Sequence, residues 1–162
     1  MLTNFFQVQS TLTASSEEIW SRVFTMEGVN AELSPWMRMT YPREAEQFDQ
    51  AGSSPGQCLF RSIILFLRII PIDLYYLSFI SIKAPTHFHE QSHSITIREW
   101  THKRTLQSEG GNCRLKDTIH YSFRVPGVGR LFRPVFYALF KHRHRYLRRA
   151  FGHVGHPEDT EI

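Results

Sequence analysis

Residues 99–123, EWTHKRTLQSEGGNCRLKDTIHYSF, constrain the fold more than any other part of the chain. Apolar and polar residues alternate on both sides of Gly110 and Gly111, which is the pattern of two antiparallel strands joined by a tight turn. A two-residue and a four-residue turn give the same register, with Arg104 opposite Asp117. That register also pairs Trp100 with Tyr121, His102 with Ile119, and Leu106 with Leu115.

This register predicts one apolar-rich face that also carries a charged pair, because side chains alternate between the two faces of a strand. The residues on that face are Trp100, His102, Arg104, Leu106, Leu115, Asp117, Ile119, Tyr121 and Phe123. Two interpretations remain open. Arg104 and Asp117 form a satisfied buried ion pair, or they and His102 form the polar end of an apolar pocket that orients a ligand.

The rest of the chain predicts an α+β domain, in which a run of antiparallel strands is bracketed by helices. A helix is predicted over residues 15–26, capped by Ser15 or Ser16 and ended by Gly28. A short second helix ends before Pro35, and a long one spans residues 130–151. Strands are predicted over residues 4–14, 36–42, 57–68, 72–83, 84–94, 94–107 and 112–125, with a polar surface loop over 43–56.

The segment 59–82 is long enough to cross a bilayer, but its composition argues against this. It contains Arg61, Arg68, Pro71 and Asp73, which are costly or disruptive at the centre of a membrane. Two buried strands separated near Pro71 explain it better. We therefore expect no integral membrane segment here.

Length and composition predict one globular unit. The chain has 162 residues, and 14% of them are aromatic, with 13 Phe; this length is typical of a single domain. We predict one domain over residues 1–152 and a disordered tail over 153–162. The two cysteines, Cys58 and Cys113, form neither a metal-binding pair nor a disulfide framework. With no secretory signal in MLTNFFQVQS, a cytoplasmic location is expected.

Together these motifs resemble the START-like, polyketide-cyclase-like superfamily (SRPBCC, helix-grip fold). The resemblance runs from Phe5 to Phe151 and depends on the order of several short motifs. These are FFQVQSTLTAS with EEIWSRVF, then SPWMRMTYP, the strand pair around IIPID, WTHKR, DTIHYSF and the closing helix with LFKHRHRYL. The WTHKR and RHRYL pieces are similar to those of a bacterial subgroup with the pattern W-x-H-x-H/R, then D, then R-H-x-x-L.

The resemblance implies a curved seven-stranded antiparallel sheet that grips the last helix, with two short helices and a cavity between sheet and helix. Members of the superfamily bind lipids, sterols, polyketides or other apolar molecules, and they share no single catalytic residue set. We therefore predict that the chain binds a small hydrophobic or amphipathic ligand, without a cofactor. The predicted ligand-binding residues are Trp100, His102, Arg104, Asp117, Tyr121, Phe136, Leu139 and Arg143.

The closing helix supports two alternatives. Its apolar stripe (Phe132, Val135, Phe136, Leu139, Phe140, Leu147 and Phe151) predicts core packing, interrupted by Arg143. Between Arg130 and Arg149 the chain has several Lys and Arg but no Asp or Glu. The run KHRHRYLRR could act at a lipid surface or on a protein partner, although a solvated helix face explains it more simply. No nucleic-acid motif accompanies it, so no nucleic-acid partner is expected.

A catalytic alternative rests on His102. In a cyclase, dehydratase or hydrolase it would act as a general base oriented by a neighbouring carboxylate. A metal site at His87, His89 and His93 is a weaker hypothesis, since two of these imidazoles would share one strand face but no further ligand pattern is present. The chain has no nucleotide-binding loop and no nucleophile motif.

Overall fold

The computed structural model describes residues 4–46, 48 and 54–155, and it shows an α+β architecture of seven strands and three α-helices. The strands are β1 (Asn4–Leu12), β2 (Met37–Met39), β3 (Cys58–Phe66), β4 (Ile70–Lys83), β5 (His87–Ser94), β6 (Ile97–Glu109) and β7 (Asn112–Phe123). The helices are α1 (Ser16–Val23), α2 (Met26–Leu33) and α3 (Val128–Phe151), and a 3₁₀ turn lies at Arg43–Ala45.

All seven strands form one antiparallel sheet in the order β1-β7-β6-β5-β4-β3-β2. Only the step from β1 to β7 joins strands that are distant in sequence. The curled sheet and the long last helix confirm the predicted helix-grip architecture. Of the disordered tail predicted over 153–162, residues 156–162 lie outside the described residues. Within the part that is described, the Val154 amide donates to the Thr11 carbonyl.

The predicted β6–β7 hairpin is confirmed with its register. Arg104 pairs with Asp117, and Glu109 pairs with Asn112 across a two-residue turn. Gly110 and Gly111 both have positive φ, 56° and 89°, as this kind of hairpin turn requires. The turn therefore aligns the two strands so that Arg104 and Asp117 share the inner face.

The boundary between the first two helices lies earlier in the chain than the sequence predicts. α1 begins after Ser15, whose hydroxyl accepts from the Glu18 amide, and it ends at Phe24. Gly28 does not end α1, because Thr25 caps α2 through the Gly28 amide and places this glycine inside the second helix. An added Cβ at Gly28 would lie 2.0 Å from the Arg22 carbonyl oxygen. The glycine thus allows two helices to pack closely.

The turn between β3 and β4 also lies earlier than predicted. Pro71 does not separate the strands. It is the second residue of β4 and pairs with Leu65, and the turn falls at residues 67–69. The pairing of β4 with β5 begins only at Tyr75, so no strand on that side needs an amide hydrogen from Pro71. A proline is therefore tolerated at this position.

Helix α3 packs its second half across the inner face of the sheet. Phe140, Leu147 and Phe151 are buried, which confirms that part of the predicted stripe. Phe132 and Val135 are exposed, so core packing is the wrong prediction for them. The helix begins at Val128, two residues before the predicted start, and the Tyr121 hydroxyl donates to the Gly129 carbonyl. This bond ties the start of α3 to β7.

The segment 59–82 forms strands β3 and β4, as predicted, but these strands are not buried throughout, since Ile63, Ile70 and Ile72 are exposed. Within the described part of the chain, no helix combines the length and the apolarity that crossing a membrane requires. The loop predicted over 43–56 is described only in part, since residues 47 and 49–53 lie outside the described ranges. Of those that are described, Ala45 and Phe48 are buried in the core rather than solvated.

Replacing Gly28 with alanine should destabilise the protein, because the new methyl group would overlap the Arg22 carbonyl unless the two helices separate. We expect a loss of about 1–3 kcal/mol in the free energy of unfolding, measured by urea denaturation. Gly155→Ala is the matched control, because an added Cβ there meets no atom within 4 Å. Equal stability of the two variants would show that the helices can move apart at little cost.

Candidate functional site

A cavity of about 120 Å³ lies between α3, α2 and the inner face of the sheet. A volume of this size holds about four water molecules at liquid density, or roughly a single aromatic ring. Most of its lining is apolar. The ionisable or hydroxyl-bearing residues in the lining are Tyr75, Glu90, His102, Arg104 and Arg143. The cavity therefore has an apolar body and one polar end.

Phenylalanine side chains fill the space beneath α1. The ring centroids of Phe24 lie 4.9 Å from Phe48, 5.7 Å from Phe79 and 5.6 Å from Phe88. Rings at such separations, tilted relative to one another, make favourable aromatic contacts. These four side chains leave the remaining cavity small.

The opposite wall is formed by residues that are only partly buried. Trp100 on β6 packs edge-to-face on Phe136 of α3, with 5.3 Å between the centroids. Leu139 follows on the same helix, and Met37 and Ile64 line the cavity from β2 and β3. These five lining residues (Trp100, Phe136, Leu139, Met37 and Ile64) are all partly exposed. The cavity therefore meets the solvent between α3 and the strands β2 and β3.

Arg104 joins two carboxylates at the polar end. Its Nε and Nη2 donate to the two oxygens of Asp117 at 2.7 Å each. Its Nη1 and Nη2 donate to the two oxygens of Glu32 at 2.9 Å each. Bidentate pairs of this kind are the strongest hydrogen-bonded ion pairs in proteins. The sequence-based choice between ion pair and pocket is therefore not exclusive, because Arg104 both pairs with Asp117 and lines the cavity.

Two histidines complete the coordination of Asp117. His102 lies 2.9 Å from Oδ1 through its Nε2, and His144 lies 3.1 Å from Oδ2 through its Nε2. The Nδ1 of His144 is 2.8 Å from the Ser10 hydroxyl, so a neutral ring donates to Asp117 and accepts from Ser10. Five hydrogen bonds among Ser10, His102, Arg104, Asp117 and His144 thus link β1, β6, β7 and α3.

The pKa values of these buried groups follow from burial and pairing. Burial alone would raise the pKa of Glu32 and of Asp117, but the Arg104 guanidinium beside both, together with Arg143 at Glu32 and His102 at Asp117, outweighs it. The pKa of Glu32 is lowered, and that of Asp117 lies well below its usual range. Burial lowers the pKa of His144 despite its contact with Asp117. Both carboxyls are therefore ionised and His144 is neutral at neutral pH.

Arg143 and Glu90 are the polar groups with hydrogen-bonding capacity left for a ligand. The Nε of Arg143 donates to Glu32 at 2.8 Å, whereas the described residues offer its terminal amino groups no acceptor. Glu90 accepts from Tyr75 and from Ser92. Its second oxygen is 3.5 Å from Nδ1 of His102, which is too long for a good hydrogen bond. Burial, and then the Glu90 carboxylate, raise the pKa of Tyr75 well above its usual value.

The structure brings most of the predicted ligand-binding residues to this cavity. Six of them line it: Trp100, His102, Arg104, Phe136, Leu139 and Arg143. Asp117 and Tyr121 do not reach it. Asp117 lies behind Arg104 and His102 with no exposed surface, and Tyr121 packs behind Trp100 and bonds to the α3 backbone. These two residues position the lining rather than form it.

Sequence reasoning missed Glu32, Tyr75 and Glu90. Glu32 is in the apolar stripe of α2 that contains Val29 and Leu33, and an acid in that stripe is the signal that could have found it. Glu90 lies two residues after the buried Phe88, so strict alternation along β5 would have placed its carboxylate inside. Glu90 was overlooked because its neighbours His89 and Gln91 are polar, and Glu32 because a charged residue in a short helix usually faces solvent.

The catalytic hypothesis for His102 is not favoured by this geometry. A general base needs a ring nitrogen that faces the proton it removes. Both nitrogens of His102 face carboxylates instead, Nε2 towards Asp117 and Nδ1 towards Glu90. A neighbouring carboxylate orients the ring, as predicted, but the ring is held as a link between β5, β6 and β7.

Other candidate residues lie away from the cavity. His87, His89 and His93 alternate with the buried residues of β5 and lie on its outer face, where the His93 ring stacks on Tyr76. Among the residues that the structure describes, no cluster of His, Cys, Asp and Glu could hold a metal ion. Burial raises the pKa of the Cys113 thiol to about 11, which makes it a poor nucleophile.

The basic run of α3 is not a uniform solvent-facing surface. Arg143 and His144 point into the core, and Arg148 donates to the Ser10 hydroxyl at 3.0 Å. Arg145 and Arg149 are exposed. Since the run is shared between the interior and the surface, helix charge alone gives weak support to the lipid-surface alternative.

Replacing Arg104 with methionine should strongly destabilise the fold, because Glu32 and Asp117 would remain buried without their shared cation. We expect a loss of about 3–5 kcal/mol in the free energy of unfolding, measured by chemical denaturation. Glu109→Gln removes a partly exposed ion pair with Arg114 and should cost less than about 1 kcal/mol. Similar losses in the two variants would contradict a dominant role for Arg104.

Stability should fall in two stages as the pH is lowered. Lowered pKa values of His144, Glu32 and Asp117 mean that the unfolded chain binds more protons in acid than the folded chain does. The urea midpoint should therefore decrease first below the ordinary histidine pKa of 6.5, and again below the ordinary carboxyl values of 4.5 and 3.8.

The first stage should become smaller in His144→Gln, whose amide can still donate to Asp117 but does not titrate. His89, whose pKa is also lowered by burial and by Lys103, should keep the remainder. A first stage of wild-type size in His144→Gln would assign it to another group.

Comparison with known proteins identifies a family for this sequence. The sequence matches the family described as a domain of unknown function, DUF8410, over residues 10–151. No curated protein matches the sequence significantly.

Solved structures show the fold at low sequence identity. A protein from Chromobacterium violaceum superimposes with a TM-score of 0.70 at 9% identity, covering 92% of this chain and 98% of that one. A START superfamily protein from Mycobacterium smegmatis gives 0.63 at 9% identity, with 91% and 96% covered. Major latex-like protein 151 from Panax ginseng gives 0.61 at 9% identity, with 93% and 99% covered. The chain therefore belongs to the DUF8410 family and has the helix-grip fold of the START-like superfamily.

Proposed function

We propose that this protein binds a small, mainly apolar molecule with one polar group at its end. The observation that carries the proposal is the cavity between α3 and the sheet, with its apolar body and polar end. The similarity to a START superfamily protein supports hydrophobic ligand binding in general. The ligand's apolar part would lie between Trp100, Phe136 and Leu139.

The polar end favours a ligand that accepts hydrogen bonds. The terminal amino groups of Arg143 have no acceptor among the residues that the structure describes, and its guanidinium lies 4.8 Å from the centre of the Phe140 ring. A carbonyl, hydroxyl or carboxylate oxygen of the ligand would accept from Arg143. Arg104 has four hydrogen bonds to carboxylates and contributes mainly by fixing Glu32, which in turn orients Arg143.

The cavity volume limits what fits without rearrangement. About 120 Å³ accommodates one ring or a short alkyl segment, whereas drug-sized ligands occupy cavities of roughly 300–1,000 Å³. A longer ligand would extend past Trp100 and Phe136, where the cavity meets the solvent. We therefore propose a small aromatic or short-chain carboxylic acid, ketone or alcohol, or the terminal part of a longer lipid.

Filling the cavity tests this proposal. Leu139→Trp places a large ring in the cavity and should weaken binding of small aromatic acids and ketones by at least about tenfold. The measurement is isothermal titration calorimetry with a panel of such compounds, after native mass spectrometry has identified any molecule that co-purifies. Ala138→Trp, one position away on the exposed side of α3, should bind as the wild type does.

The role of Arg143 is tested by comparing matched compounds in the same assay. Wild-type protein should prefer an aromatic acid over the hydrocarbon of the same size by about tenfold or more, since hydrogen bonds to a charged group contribute roughly 1.5–3 kcal/mol. Arg143→Met should lose that preference while it still binds the hydrocarbon. No binding of any compound by the wild type, together with no co-purifying molecule, would overturn the proposed function.

A further inference from the structure

Exposed apolar side chains gather at one end of the sheet. That end is where β3 and β7 finish, where β4 and β6 begin, and where α3 starts, because neighbouring strands run antiparallel. We name this surface the apolar end. Its exposed apolar residues are Trp36, Phe66, Leu67, Ile69, Ile70, Ile72, Ile95, Val125, Leu131, Phe132 and Val135.

Backbone hydrogen bonds show that these segments adjoin one another. The Leu67 amide donates to the Trp36 carbonyl at 2.7 Å, joining the β3–β4 turn to the start of β2. The Ile95 amide donates to the Leu74 carbonyl at 3.2 Å, and the Arg124 amide donates to the Thr96 carbonyl at 3.0 Å. The apolar end therefore runs across the sheet from β2 to β7 and onto α3.

The β3–β4 turn has residues that are unusual in a turn exposed only to water. Leu67 and Arg68 have positive φ values of 49° and 69°, a conformation that Asn and Gly adopt at much lower cost. Leu67 is 45% exposed and Ile69 is 77% exposed, so folding buries neither fully. Leu131 on α3 is 73% exposed. A partner that covers these side chains would account for their presence.

The charges around this surface identify the partner's chemistry. Segments 34–39, 66–72 and 124–135 contain no Asp or Glu, and each contributes exposed arginine. The arginines are Arg38, Arg68, Arg124, Arg130 and Arg133. The neighbouring Asp73 accepts from the Ser94 and Thr96 hydroxyls, so its carboxylate is already hydrogen-bonded. Apolar side chains ringed by arginine match a bilayer with anionic headgroups.

We propose that the apolar end docks the protein on the surface of an anionic lipid bilayer, with the β3–β4 turn and the first turns of α3 inserted among the headgroups. The surface is distinct from the KHRHRYLRR run at the other end of α3. Phe132 and Phe136 both pack on Phe123, and Phe136 lines the cavity, so the docked surface adjoins the place where the cavity meets the solvent. The protein would thus take up or release its ligand at the bilayer.

Vesicle flotation tests the proposal with the full chain. Wild-type protein should bind phosphatidylcholine vesicles that contain phosphatidylglycerol, and it should bind pure phosphatidylcholine vesicles more weakly. Ile69→Ser with Leu131→Ser should reduce the fraction bound to the anionic vesicles by at least about tenfold, because two inserted apolar side chains are lost. Ile80→Ser with Ile82→Ser, at exposed positions towards the other end of β4, should leave binding unchanged.

Charge is tested separately. Arg130→Gln with Arg133→Gln should reduce the preference for anionic over neutral vesicles, and added salt should do the same to the wild type. Melting temperatures and binding of a small aromatic acid should be unchanged in the Ile69/Leu131 variant. Those controls separate failure of docking from failure of folding or of the proposed cavity binding.

Three outcomes would overturn the proposal. The first is wild-type protein that remains unbound with both vesicle types, and the second is an Ile69/Leu131 variant that binds as well as the Ile80/Ile82 control. The third is a wild type that forms dimers without vesicles, which the Ile69/Leu131 variant does not form, because the apolar end would then be covered by a second copy of the chain.

Discussion

The ion pairs of Arg104 are the interaction on which the rest of the structure depends. One guanidinium, 1% exposed, binds Asp117 on the neighbouring strand and Glu32 on α2, and Glu32 in turn binds Arg143 on α3. Sheet, short helix and long helix are therefore linked by a single set of buried charges. Such a set is costly to desolvate and strongly destabilising when one member is removed, so all its members must be present together.

The same network explains why the cavity has a polar end. The side chains that satisfy Asp117 and Glu32 approach from β6 and α3, and three of them, His102, Arg104 and Arg143, also line the cavity. Arg104 and His102 have their polar atoms directed at carboxylates, whereas Arg143 has amino groups to spare. The structural network and the proposed ligand site thus share residues, and of its described arginines and histidines that line the cavity, Arg143 is the one positioned to donate to a bound molecule.

The cavity and the apolar end adjoin each other in the fold. The Phe-rich interior beneath α1 closes one side of the cavity, and the other side leads past Trp100 and Phe136 towards the exposed side chains of α3 and the β3–β4 turn. A small apolar ligand is poorly soluble in water, and a surface that inserts among lipids next to the cavity would let it pass with little exposure to water. The two proposals are therefore compatible, although each is tested independently.

The sequence by itself determined the strand order of the hairpin, its register and the inner face, because period-2 alternation and a Gly-Gly turn admit one pairing. Arg104 opposite Asp117, and His102 beside them, followed from that register. Glu32 did not, since its role depends on how α2 packs against Arg104 and Arg143, which lie 72 and 111 residues later in the chain. The role of Glu90 depends on cross-strand pairing, which brings Tyr75 and His102 beside it. Only the tertiary structure decided that Phe132 and Val135 remain exposed, because the first turns of α3 contact the sheet mainly through Gly129 and Phe136, which meet β7.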